Sequence, residues 1–198
     1  MDKKKELIIA GAIKRFTHYG INKTTMNEIA DDLSVSKPSL YYYFPDKGSL
    51  ILGVISKIFT DYFDLLSKEK PHPTLETTFA SILEIKHRFF QKYYMLHLSF
   101  GTIDPSYNSN ELREFIMSFK NKDLDYHAAH LQNAMDKGEI EVGDSHNLAE
   151  LYLQSLAGIM SLCVLYGNKE LIPNKKVMKA MYEKQQQLSR IFIKGLKN

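Results

Sequence analysis

The side chains best suited to chemistry on a partner crowd into one stretch, between Thr25 and Lys47. Lys37 supplies a cation, Ser36 and Ser39 supply hydroxyls, and Tyr41, Tyr42 and Tyr43 supply three phenols in a row. Together they are donors suited to phosphate oxygens, with flat rings suited to thymine methyl groups. A second chemistry is offered further along. Glu84 and His87 lie three residues apart, and Asp123, His127 and His130 follow at i, i+4 and i+7. On a helix such spacing turns carboxylates and imidazoles to one face, as in bundle proteins that hold a metal. These are two distinct readings, a surface for a polyanion and a metal-dependent helical enzyme.

The first reading comes with its scaffold. Thr25-x-x-Glu28 is a capping box, which satisfies free amides where a helix starts. Met26, Ile29, Ala30 and Leu33 then recur at three- and four-residue spacing and give that helix one apolar face. Ser34-Val35-Ser36 is the turn, with Val35 expected to be buried between the two helices. Ser36 caps the next helix, and Pro38 sits in its first turn, where a missing N–H costs nothing. Leu40 and Phe44, four apart, form the inward face of this second helix. Lys37, Ser39 and Tyr41 to Tyr43 are left for other directions, and a helix this short cannot bury three phenols. The result is a helix-turn-helix whose outer helix faces duplex DNA.

The run Ser36-Lys-Pro-Ser-Leu-Tyr-Tyr-Tyr-Phe-Pro-Asp-Lys-Gly-Ser-Leu50, preceded by Thr24-Thr25 and Ile29-Ala30, resembles the signature of the tetracycline-repressor (TetR) family of bacterial regulators. The resemblance covers about the first quarter of the chain. It implies that Thr25 and Lys47 hold the phosphate backbone, that the last two helices of two subunits form a four-helix interface, and that a small molecule binds between the fourth helix and those after it. Two positions depart from the pattern. Ser34 stands where the family usually has a turn glycine, so either the serine accepts positive φ at roughly 1 kcal/mol or the turn differs slightly. Gly48 stands where a helix-favouring glutamate is common, which weakens the start of the next helix.

Composition agrees with a folded helical protein. The 198 residues are 44% hydrophobic, 12% aromatic and 25% charged, with six prolines and ten glycines, and no regular pattern of short strands appears. Net charge is only +3, but it is unevenly spread. Residues 1–50 carry eight basic against six acidic side chains, residues 51–167 ten against fifteen, and residues 168–198 eight against two. The N-terminal unit is therefore mildly basic. The basic C-terminal helix reads as a solvated face opposite an acidic middle. A single cysteine, Cys163, excludes an internal disulfide and fits a reducing cytoplasm; it is expected to be a buried thiol. Leu151 to Asn168 is uncharged but short for a membrane span and interrupted by polar residues. The expected protein is cytoplasmic, with no membrane segment, no cofactor and no catalytic motif.

Helical spacing predicts helices over about 3–19, 47–68, 74–100, 111–137, 146–167 and 174–196 around the helix-turn-helix. The expected architecture is all-α: a three-helix DNA-binding domain at 1–47 and a larger helical ligand-binding and dimerisation domain at 48–198. In the first helix Ile9, Ala12, Ile13 and Phe16 form the core stripe. Phe59, Phe63, Phe79, Leu83, Phe100, Phe115, Phe119 and Tyr126 are more large apolar groups than a thin bundle needs, and suit a lipophilic ligand. Ala157, Gly158 and Ser161 allow close helix approach. With Met181, Gln185, Leu188 and Phe192 they form the candidate homodimer surface. The function read from all of this is a repressor that binds a palindromic operator as a homodimer and is released by a small molecule. The alternative is a metal-dependent enzyme using Glu84, His87, Asp123, His127 and His130.

Overall fold

The structure, a computed structural model, describes residues 2–94, 96, 107, 109–166 and 175–197. Among them are eight α-helices and no strand: α1 Lys3–Tyr19, α2 Met26–Asp32, α3 Lys37–Tyr43, α4 Lys47–Ser67, α5 Leu75–Lys92, α6 Asn110–Asp136, α7 Ser145–Tyr166 and α8 Lys175–Gly195. The fold is all-helical, with an N-terminal helix-turn-helix followed by a larger helical region. The expected end of α5 near residue 100 and the loop after it fall largely outside the described residues. The same holds for Pro173, expected to separate α7 from α8.

The chain divides into two compact units, Met1–Leu65 with Phe89–Met117, and Leu66–Arg88 with Ser118–Asn198. This division differs from one at residue 47, because α4, α5 and α6 each contribute to both units.

In the first unit, Asp2 caps α1 by accepting the Lys4 N–H at 2.8 Å. The helix buries Ile8, Ile9, Ala12 and Phe16, while Ile13 is only half-buried. Ile9, Ala12 and Phe16 of the expected stripe are inward, and Ile8 takes the place expected for Ile13. At the other end the Gly20 N–H (φ 80°) donates to the Phe16 carbonyl at 2.9 Å. Gly11 matters because a β-carbon there would meet the Leu33 side chain at 2.7 Å, so α1 and α2 approach closely only without one. Gly53 on α4 does the same for Phe44, whose ring would meet a new β-carbon at 2.9 Å. Leu50, Ile51, Val54 and Ile55 of α4 have no exposed surface and complete this core.

The second unit is built on α5 to α8. Gly138 (φ 68°) ends α6, and the Glu139 carboxylate then accepts the Leu75 N–H at 2.8 and 2.9 Å, capping α5. Phe79 and Tyr152 pack with ring centres 4.9 Å apart, and Phe192 lies 5.2 Å from Tyr152. Packing of α8 on α7 is fixed by polar contacts. Gln185 Nε2 donates to the Leu156 carbonyl at 3.1 Å, and the Tyr152 hydroxyl donates to Ser189 Oγ at 3.1 Å.

Candidate nucleic-acid interface

Local sequence positions the outer helix. The Thr25 N–H donates to Glu28 Oε2 at 2.8 Å and the Glu28 N–H to Thr25 Oγ1 at 3.3 Å, closing the capping box at the start of α2. Glu28 also pairs with Arg15 at 2.9 Å, and Arg15 reaches Asp32 at 2.6 Å, tying α1 to both ends of α2. The Thr25 hydrogen bonds and the Arg15 charge hold the Glu28 carboxyl below its ordinary pKa. Ser34 has φ 52°, the sole non-glycine residue with positive φ among those described, so the turn accepts serine in the glycine conformation. Val35 is half-buried rather than buried, because the turn it sits in, between exposed Ser34 and Ser36, stays near the surface.

Ser36 Oγ accepts the Ser39 N–H at 3.4 Å and caps α3. Leu40 has no exposed surface and Phe44 retains 3%, so the helix is pinned from behind. Tyr42 is 81% exposed and Tyr41 44%, and Lys37 is exposed as well. Ser39 is half-buried, while Thr25 and Ser36 are exposed but committed to their caps. Tyr43 behaves differently from its neighbours. Its hydroxyl hydrogen-bonds the Asp2 carboxylate, which pushes the phenol pKa up, and its ring meets that of Tyr42 edge-on at 5.2 Å. Lys3 and Lys4 beside it are exposed, and the Lys5 ammonium lies 5.6 Å from the Phe44 ring centre.

Lys47 is where the placement departs most from a phosphate-holding cation. Only 9% of it is exposed, and its ammonium lies 3.5 Å from the Asn22 carbonyl and 4.7 Å from the Tyr107 ring centre. Sequence reasoning also missed Asp2, Arg15 and Tyr107. Asp2 was legible as a cap ahead of three lysines. The other two act across 17 and 60 residues, and nothing local marks them.

The metal-site residues do not assemble. Glu84 is paired with Arg88, and Asp123 with Lys86 at 2.5 Å. His87 stacks on Tyr182 with ring centres 4.1 Å apart. His127 is fully buried and its Nδ1–H donates to the Asp123 carbonyl at 2.7 Å. His130 sits edge-on to Tyr126 at 4.8 Å. Lysine, arginine and aromatic partners have taken the places a cation would need. Among the described residues no three His, Cys, Asp or Glu side chains are grouped to hold a metal ion.

The residues expected to line a ligand pocket are divided between the units. Phe59 stacks on Phe115 at 5.9 Å and Phe63 lies beside Tyr62 in the first. Phe79 and Leu83 are buried, and Phe119 and Tyr126 half-buried, in the second. Phe100 lies outside the described residues. Of the candidate dimer surface, Ala157, Gly158 and Ser161 are exposed on α7, with Leu151 and Leu162 exposed by 55% and 56%. Met181 and Gln185 are instead interior. They share the stripe Met181, Gln185, Ser189, Ile193, and helical phase turns that stripe inward. Leu188 and Phe192 are half-buried, and so is Cys163 rather than buried.

Residues 8–54 match the profile described as bacterial regulatory proteins, tetR family. The chain is 28% identical over 146 residues to the HTH-type transcriptional regulator YuxN of Bacillus subtilis, covering 69% of this chain and 47% of that protein. It is 24% identical over 109 residues to IcaR of Staphylococcus aureus, named as the negative transcriptional regulator of the biofilm operon icaADBC, covering 54% of this chain and 58% of that one. The chain thus spans about half the length of these curated relatives. A crystal structure of a transcriptional regulator from Cytophaga hutchinsonii matches it over 100% of both chains, with a TM-score of 0.81 and 29% identity. No helix among the described residues is long and apolar enough to cross a membrane. The helix-turn-helix geometry and the profile agree that residues 8–54 are a TetR-family DNA-binding module, and the whole chain is similar in fold to a solved transcriptional regulator.

Proposed function

We propose that this protein is a repressor that binds a palindromic operator as a homodimer and releases it when a small, apolar ligand occupies the helical region after residue 48. The observation that carries the DNA-binding reading is the outward face of α3, where Lys37, Tyr41 and Tyr42 are exposed while Leu40 and Phe44 anchor the helix. Cations and hydroxyls so placed hold phosphates, and phenol rings touch base edges. No arginine lies on this face, so DNA shape contributes to operator choice. The exposed apolar and small residues of α7 support dimerisation, because one helix-turn-helix reads only a half-site. Repression is supported by the negative regulator IcaR among the relatives.

In this reading, ligand binding acts through α4, which runs from the helix-turn-helix into the second unit. Tenfold release needs a ligand preference of roughly 1.4 kcal/mol for the non-binding geometry. Footprinting on the DNA upstream of the protein's own gene tests the reading. Two protected half-sites about 34–36 Å apart, one helical turn, are expected. A single protected site, or none, counts against a dimer on a palindrome.

A further inference from the structure

The cation that opens α4 is already occupied. Lys47 Nζ has the Asn22 carbonyl on one side at 3.5 Å and the Tyr107 ring on another at 4.7 Å. Tyr107 also brings its main chain close, since a β-carbon on Gly48 would lie 3.9 Å from its carbonyl oxygen. Ring and backbone of one residue, 60 positions away in the chain, therefore lie against the first turn of α4. A lysine that neutralises a phosphate must present its ammonium to the outside and release a counterion from the DNA. With 9% of its surface exposed, Lys47 does not. A ring that merely aimed the ammonium at DNA would leave its other sides open, whereas here the Asn22 carbonyl closes one of them.

We propose that Tyr107 sequesters the Lys47 ammonium, so that this ring and the DNA backbone compete for a single cation and the ring sets how tightly the protein holds any duplex. The inference rests on the DNA-binding reading of α3. A partly desolvated cation–π contact shifts an equilibrium by roughly 3- to 30-fold, so the competition is large enough to measure and small enough to reverse.

The test titrates the wild type, Tyr107→Leu and Tyr107→Phe onto a mixed-sequence duplex over a series of salt concentrations. Tyr107→Leu is expected to bind roughly 3- to 30-fold tighter, and its salt slope to steepen by about 0.9 per subunit, the value for one added phosphate contact. Tyr107→Phe keeps the ring and should match the wild type. An unchanged or shallower slope in Tyr107→Leu overturns the proposal. A wild type that binds no duplex would remove the DNA-binding reading itself, and a second readout then decides on the sequestered cation alone. Amine acylation followed by mass spectrometry should modify Lys47 of the wild type at least about tenfold more slowly than the exposed Lys37, and equal rates overturn the inference.

Discussion

Acidification should weaken the second unit, and the share carried by His127 can be isolated. His127 has no exposed surface, its Nδ1–H is used on the Asp123 carbonyl, and its Nε2 has no hydrogen-bond partner. Burial first, and then the Lys86 ammonium, push its pKa down from 6.5 to about 4 against smaller upward pulls from Asp123. The unfolded chain therefore takes up a proton below about 6.5 that the folded chain refuses until about 4. Stability from the neutral imidazole is complete above that window, falls as the pH drops through it, and reaches its floor below about 4. Between pH 7 and pH 5 the loss comes to about 2 kcal/mol. Urea unfolding of the wild type and His127→Leu at the two pH values isolates this amount. His87 and His130, also pulled down by burial, titrate in both proteins and cancel in the difference. The wild type should lose about 2 kcal/mol more than the variant on acidification. Identical pH dependence in the two proteins would refute the argument.

Gly53→Ala places a β-carbon 2.9 Å from the Phe44 ring, which is walled in by the core, so overpacking should cost about 1–3 kcal/mol in thermal unfolding. Combining it with Phe44→Leu should recover part of that loss, and strict additivity would show that the two do not touch. Ser34→Gly relieves a φ of 52° and should raise the unfolding free energy by about 1 kcal/mol in urea titration; a lower value would mean the serine is not strained. Leu162→Glu puts a charge on the exposed face of α7 and should give monomers in sedimentation equilibrium with unchanged helix content. An intact dimer would place the interface elsewhere.

The elements that proved legible in the sequence are those built from local chemistry. The Thr25–Glu28 capping box, the Ser36 cap and the Gly138 stop each follow from residues within a few positions of one another, and each is present. The anchoring of α3 was legible for the same reason, since Leu40 and Phe44 are one helical turn apart. What escaped depends on tertiary neighbours. Lys47 looks like a surface cation until Asn22 and Tyr107 arrive from elsewhere in the chain. Tyr43 looks like its two neighbours until Asp2 accepts its hydroxyl. The His and Glu spacings looked like ligands because spacing does not reveal that Lys86, Arg88 and Tyr182 stand against them. Helical phase was the other source of error. Ile8 takes the inward place expected for Ile13 in α1, and Met181 and Gln185, expected at the dimer surface, lie inside.

The claim on which the functional reading depends is that the exposed face of α3 enters a DNA groove. Its most direct test is a quantitative titration of the wild type and the Lys37→Ala, Tyr42→Ala double variant onto the duplex upstream of the protein's own gene, with fold and oligomeric state measured on the same samples. Both side chains point outward, so the double variant should keep its unfolding temperature and its mass while losing at least about tenfold in affinity. Equal affinity in the two proteins would contradict that claim.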